Sequence, residues 1–559
     1  MQKTCKQCAA AFEITESDLE FYEKVSPVYG GKKYLIPAPA LCPSCRYQNR
    51  LRWRNERNLF KTTCAATGKS IVAIYSPDKA WPPVYEQSYW WSDKWDPRSY
   101  GRAMDFSRPF FEQFGELYKV VPQIAMNNQS SENCEFTNQS QNNKDCYLIF
   151  CSNGARDCLH GMWYEFCQNC CDCQYLEQSE LCYEILNGKK CYGCTFSQNL
   201  ETCSDVHFSR NCIGCTACFG CINLRNKQYH IFNTKYSKEE YERHMKALRM
   251  EQYSSRSENE GRATEFFRQF PHKFYEGNNI FDASGNYIIG LQDAHDCYNC
   301  RDAEHLHHCQ DVWRARNCQD LTETVDNDFS YSVEGSAVSV QVAFSKKFHD
   351  LSDSLFCSHC NYSKNLFGCV SLNHGSYCIL NKQYSKEEYE VLVPKIIEHM
   401  RSTGEWGEHF PGRYSPFGYN ESVAQDYFPM SKEEIIARGY QWSDYESPQQ
   451  ETTRTVPASS LPDSIDDVPD DVLQWAIRCE ATGRAFRIVK QELDLYRRMR
   501  VPLPHLHPDE RFRLRMALRT PRKLWERTCM KCRKAMQTTY APDRPEIVCC
   551  EECYLKEVN

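Results

Sequence analysis

Cysteine recurs on a lattice through the middle of this chain, and that lattice restricts the fold more than any other feature. Cys170, Cys191 and Cys212 are 21 residues apart, as are Cys173, Cys194 and Cys215, and also Cys182 and Cys203. Within that interval the steps are 3, 9 and 9. The same steps recur at Cys297, Cys300, Cys309 and Cys318, and again at Cys357, Cys360, Cys369 and Cys378. Cys146, Cys158 and Cys170 step by 12, which reads as longer turns. A period near 21 with Asn, Ser, Gly and Asp between short β-prone stretches predicts a parallel β-helix, one coil per period. Equivalent residues then stack at about one strand spacing, ~4.8 Å. Cysteine suits an inward corner, being small and, when protonated, apolar.

A string of zinc knuckles is the rival reading. Cys170-x-x-Cys173 followed by Cys191-x-x-Cys194 has zinc-ligand spacing. It leaves Cys182 and Cys203 unexplained, and it needs a cysteine where Leu321 stands. The solenoid is therefore the expectation. Stacked thiols can still capture a soft metal or oxidise. Cys212, Cys215, Cys218 and Cys221 are the candidates for a weak extra metal site.

Two blocks are expected, because the pattern closes twice in the same way. Ser237-x-x-Glu240 and Ser385-x-x-Glu388 are capping boxes that start helices. A helix over the last coil protects the open edge of a solenoid. The first block with its cap is assigned to 126–250 and the second to 264–404. Residues 405–445 are aromatic and rich in Pro and Gly, with a further capping box at Ser431-x-x-Glu434, and read as a docking segment. Residues 446–471 have linker composition, polar and acidic with several prolines.

The two ends, 1–125 and 472–559, read as copies of one zinc-ribbon module. Cys5-x-x-Cys8 with Phe12, Leu19 and Tyr22 matches Cys479-x-x-Thr482 with Phe486, Leu493 and Tyr496 at the same offsets. Cys42 and Cys45 match His507 and Glu510. Further on, Cys64-x-x-Thr67 matches Cys529-x-x-Cys532. Each end thus has two metal-type slots and keeps one: Cys5, Cys8, Cys42 and Cys45 at the start, and Cys529, Cys532, Cys550 and Cys553 at the finish. Four thiolates on two short knuckles suit tetrahedral zinc, so about two structural zinc ions are expected.

Basic runs follow, at 46–61 and 511–527. Arg46, Arg50, Arg52, Trp53, Arg54 and Arg57, with Arg511, Arg513 and Arg515, are the candidate contacts to RNA or a ribonucleoprotein, gripping phosphates and stacking bases. The competing reading is an internal one. Residues 1–120 carry net +5 and 477–559 net +8, against −20 for the stretch between, so the arginines can neutralise the acidic middle.

No P-loop, dinucleotide fingerprint, HExxH or GxSxG is present, so an enzyme is not the first expectation. The densest polar constellation is Asp293, His295, Asp296, Asp302, Glu304, His305, His307 and His308. His305 and His307 would share a strand face as a metal or acid/base site, though an exposed polar coil edge is the simpler account. No apolar run approaches the ~18 residues of a membrane span. The start lacks the apolar core of a secretory signal, so a cytoplasmic location is expected. Its 35 cysteines then read as ligands or buried thiols.

Several phrases carry a resemblance: residues 14–46, 50–60, 75–79, 90–97 and 415–429, ending in SPFGYNESVAQDYFP. They resemble a family of cysteine-rich zinc-ribbon proteins from small-genome, poorly cultivated bacteria. The resemblance implies ribbon modules and supplies no activity, ligand or catalytic residue. The expected molecule is a mainly β, multidomain, zinc-binding interaction protein that takes RNA, a ribonucleoprotein, or a protein partner on its solenoid face. A thiol-redox or metal-storage protein is the first alternative. A β-helix carbohydrate-active enzyme centred on 293–308 is the second.

Overall fold

Strands in the centre of the chain pair in parallel with partners 12 residues on. Tyr147 pairs with Leu159, Met162 with Gln174 and Ser204 with Thr216. Later, Leu291 pairs with Ala303, Leu321 with Val333 and Leu366 with Cys378. The computed structural model describes residues 1–79, 81–446 and 454–558. It is mostly β, with a β-solenoid in the central region and helices around it.

One coil is therefore 12 residues, not the 21 read from the cysteine interval. The reason lies in which residues face inward. A left-handed residue recurs at every third position: Asn142, Asp145, Leu148 and Cys151 early, and Asp293, Asp296, Asn299 and Asp302 later. Each precedes an inward side chain, so a coil has four three-residue sides. Cysteines separated by any multiple of three then share the interior. An interval of 21 is one coil plus three sides, and the true stack runs Cys146, Cys158, Cys170, Cys182, Cys194, all buried. Asn, Asp and His tolerate left-handed backbone better than most residues, so they punctuate the lattice.

The interior packs cysteine among Ile, Leu and Val, and cysteine meets its polar demand there. Cys146 Sγ lies 3.2 Å from Lys144 O and 3.5 Å from Ala155 O. Cys203 Sγ sits likewise at 3.4 and 3.3 Å from Glu201 O and Cys212 O. Ser197 occupies the same niche, its hydroxyl 2.8 Å from Thr195 O and 3.5 Å from Val206 O. A weak S–H donor and a hydroxyl are thus interchangeable at inward positions.

Two sheets build the solenoid region, a 9-stranded one from Tyr147–Phe150 to Thr234–Lys235 and an 11-stranded one that runs on to Lys382–Gln383. Each ends in a hairpin whose two turn residues, Phe232-Asn233 and Leu380-Asn381, are both left-handed. Such a turn matches the twist of paired strands. The asparagine then closes the last coil. Asn381 Oδ1 accepts from Val370 N at 2.7 Å, and its Nδ2 donates to Val370 O at 2.8 Å. Asn233 treats Ile222 in the same way. Helices Lys238–Ala247 and Lys386–Ser402 follow, each started by its capping box.

The solenoids lie side by side, joined by Arg301 to Glu177 at 2.9 Å and by Trp163 against Trp313. The termini cross over. Trp53, Phe110, Phe111 and Phe114 bury against Tyr331, Phe344 and Phe356 of the second solenoid. Val456, Ile465, Val472, Leu493 and Tyr496 bury against Leu159, Cys171 and Tyr183 of the first. Strand Ile547–Cys549 pairs with Pro271–Lys273 at the entry to the second solenoid. Tyr419, Ala424 and Ile435 of the 405–445 segment pack on Tyr47 and Leu51.

Of the segment read as a linker, 447–453 lie outside the described residues. From Arg454 on it forms strand Arg454–Pro457 and short 3-10 turns, because Val456, Leu461, Ile465 and Val468 give it an apolar face to bury. Among the described residues, no helix is long and apolar enough to cross a membrane.

Candidate metal centres

Both four-cysteine sets converge: within each, the four Sγ atoms lie within 4.8 Å of one another. At the N-terminus, strands Gln2–Thr4 and Ala11–Glu13 form a hairpin that carries Cys5 and Cys8 at its tip. Cys5 N donates to Ala10 O and Ala9 N to Cys5 O, both at 2.9 Å, with Ala9 left-handed. Cys42 is the N-cap of helix Pro43–Leu51 and Cys45 lies in its first turn. The C-terminal set repeats this. Cys529 N donates to Lys534 O, Arg533 N to Cys529 O, Arg533 is left-handed, and Cys550 immediately precedes helix Glu551–Val558.

Cys8 and Cys42 Sγ are 3.7 Å apart, and so are those of Cys532 and Cys550. Zinc–sulfur bonds of about 2.3 Å at tetrahedral angles place sulfurs about 3.8 Å apart, so the donor sets fit the ion. Within each set the crowded thiols titrate in opposite directions: Cys45 and Cys553 are pushed up by their neighbours, while one partner in each set is lowered. The Cys45 thiol pulls Cys42 down to about 5. At Cys529 burial pushes up, but the backbone about Cys532 and Cys550 outweighs it and holds the thiol at about 6.

No protein-family model and no curated protein matches this chain. Function must therefore be read from the geometry.

The two slots that lack ligands keep the knuckle. Cys64 N donates to Lys69 O and Gly68 N to Cys64 O; Cys479 N donates to Arg484 O and Gly483 N to Cys479 O. Gly68 and Gly483 are left-handed where Ala9 and Arg533 are. Thr67 and Thr482 stand where a second ligand would be; burial pushes the thiols of Cys64 and Cys479 up, but these threonines and the knuckle backbone outweigh it and lower them. His507 instead takes a hydrogen bond from Asp509 N, and Glu510 pairs with Arg513.

Cys212, Cys215, Cys218 and Cys221 occupy the four sides of a single coil, and all are buried. Their sulfurs face backbone carbonyls, as Cys212 does with Arg210 O at 3.6 Å and Cys221 with Phe219 O at 3.3 Å. Among the described residues, the sets whose donors converge are the two four-cysteine clusters and one of Asp293, His295 and His307.

The basic segments lie mostly inside the molecule. Arg46 Nε is 2.6 Å from Asp320, and Arg50 is 3.2 Å from the same carboxylate. Arg511 and Arg515 converge in the same way on Asp172, Arg515 at 2.9 Å. Arg52 lies over the Tyr440 ring, Arg54 pairs with Glu56 and Glu323, and Arg57 pairs with Asp509. Trp53 is buried beneath Lys346. Arg513 alone of these candidates has a largely exposed side chain, paired with Glu510.

One arginine that the sequence reading did not single out joins three bodies. Arg522 donates to Tyr47 Oη at 2.7 Å, to Asp311 of the second solenoid at 2.7 and 2.9 Å, and to Tyr175 of the first at 3.4 Å. Its signal in the sequence was only a position within the second basic run.

Proposed function

We propose that this chain is a structural scaffold, two thiol-lined solenoids held side by side by terminal modules that zinc stabilises. The observation that carries the reading is the twin docking of the ends. Arg46 and Arg50 enter one solenoid on Asp320, and Arg511 and Arg515 enter the other on Asp172. Cys42 and Cys45 begin the helix that bears the first pair, so a metal there fixes the helix that places both arginines. A closed four-thiolate centre has no open coordination position and suits a structural ion. The burial of the arginines supports an intramolecular role over contact with nucleic acid.

Elemental analysis of full-length protein purified under reducing conditions tests this. The expected result is about two zinc ions per chain and no iron, with Cys8→Ser and Cys532→Ser each removing one. Absence of metal would overturn the zinc reading. Four or more ions, or stoichiometric iron, would bring the solenoid thiols forward as a storage or redox centre. RNA binding that is present at low salt, weakens steeply as salt is added and is lost on charge reversal of Arg513 would restore the nucleic-acid reading.

A further inference from the structure

The second solenoid carries an imidazole–carboxylate cluster on its outer face, apart from both four-cysteine centres. Strands Ile288–Tyr298 and Arg301–His307 pair with His295 opposite His307. Asp293 and His295 flank the inward Ala294, while His305 and His307 flank the inward Leu306. The four outward side chains therefore form one patch. The pairing that matters runs between coils, not along one strand as His305 with His307 would.

Donor atoms of Asp293, His295 and His307 lie within 4.8 Å of one another. His295 Nε2 is 3.5 Å from Asp293 Oδ1. The other oxygen, Asp293 Oδ2, is 2.7 Å from His305 Nδ1, which orients the carboxylate. His307 Nδ1 lies 3.1 Å from Asp18 Oδ1, so its Nε2 is the nitrogen left for a ligand.

Asp18 comes from the N-terminal module and is buried. Its Oδ2 accepts from Thr15 N and Oγ1, both at 2.8 Å, and its Oδ1 accepts from Gln319 Nε2 at 3.1 Å. A buried, fully engaged carboxylate behind one imidazole is the arrangement that fixes ring orientation and raises basicity in metal-bound histidines.

We propose that Asp293, His295 and His307 bind a divalent transition-metal ion, with Asp18 and His305 as positioning residues. Two imidazoles and a carboxylate favour Zn²⁺, Ni²⁺, Co²⁺ or Fe²⁺ over Mg²⁺ and Ca²⁺. Three protein ligands leave coordination positions for water, and the side chains of Asp293 and His295 are 46% and 40% exposed, so the site opens to solvent. The four-cysteine centres are closed, and this one is not.

The test is calorimetric titration of Ni²⁺ at neutral pH into untagged, full-length protein whose two four-cysteine centres hold zinc and whose weaker-held metal has been removed by dialysis against a mild chelator. One Ni²⁺ per chain is expected, with zinc content unchanged. His295→Ala and His307→Ala each weaken binding by at least about tenfold, and Asp18→Asn weakens it by about 10–100-fold. Asp18 also caps a helix, so Co²⁺ serves as a second probe. Asp18→Asn shifts the ligand-field bands of the bound ion if the residue positions His307, and leaves them unmoved if its role is only structural. His295 is half-buried on the outer face, so its variant reports on the site without disturbing the core. Absence of saturable Ni²⁺ binding, or binding equal in wild type and His295→Ala, overturns the proposal whatever the zinc content proves to be.

Discussion

Asp320→Asn isolates the docking of the N-terminal module. The carboxylate is fully buried, and Arg46 and Arg50 approach it at 2.6 and 3.2 Å. The arginine side chains are only 10% and 1% exposed, so neither charge can move to water when its partner is lost. Asparagine keeps the shape and removes one negative charge from between two buried cations. Breaking a buried pair in this way costs about 3–5 kcal/mol, and the second cation places the expectation at the upper end. In an Arg46→Met/Arg50→Met background Asp320 is itself the stranded buried charge, so the same substitution is neutral or stabilising there. Urea unfolding of the four proteins, followed by tryptophan fluorescence, measures the coupling. Burial pushes the Asp320 carboxyl up, but Arg46 and Arg50 more than reverse this and lower it. A lowered carboxylate contributes stability that is present above the unfolded value and lost as pH falls through the folded one. The deficit of Asp320→Asn is therefore constant near neutrality and shrinks only below about pH 4. A deficit under about 1 kcal/mol at pH 7, or equal deficits in both backgrounds, would refute the electrostatic account.

Three further outcomes follow from the geometry. Asn381→Leu strands the Val370 N–H and carbonyl and costs about 1–3 kcal/mol per unmet group, seen as faster amide exchange at Val370. Cys182→Ser keeps an inward donor between two carbonyls and changes thermal stability little, whereas Cys182→Leu overpacks the coil and costs about 1–3 kcal/mol. At Glu492 burial pushes up, but His160 and Arg511 hold the carboxyl at about 2 against an ordinary 4.5. Its stabilising contribution is thus present above about pH 4.5 and lost on acidification toward 2, and Glu492→Gln removes that part of the acid transition.

Local chemistry was readable in the sequence and distant pairing was not. The capping boxes at Ser237, Ser385 and Ser431 form where their spacing places them, because a cap is settled within four residues. The two four-cysteine sets converge as their knuckle spacing implies. Coil length was misread because inward positions recur every third residue, and cysteine occupies only some of them. Serine at 179, 197 and 209 takes the same niche, which hides the 12-residue step. The arginines show the opposite limit. Their spacing announced a function, but the partners of Arg46 and Arg511 lie 274 and 339 residues away. Asp18 was invisible for the same reason: it reads as a helix cap, and only the fold brings it to His307.

The crossed docking of the termini has a consequence for how the protein is made. The module at residues 1–125 emerges from the ribosome before either solenoid, but the surface that covers Phe110, Phe114 and Trp53 belongs to residues beyond 330. Arg46 waits 274 residues for Asp320. At about 5–20 residues per second that interval is roughly 15–55 s, during which an aromatic face and a row of cations stand uncovered. The first solenoid, arriving meanwhile, offers its own docking face to a segment synthesised after both solenoids. Cys5, Cys8, Cys42 and Cys45, by contrast, are all present within the first 45 residues. A metal bound there can hold the earliest module in shape while the rest of its core is still being translated. On the proposed zinc reading, metal supply during synthesis, more than metal content afterwards, sets the yield of correctly assembled chains.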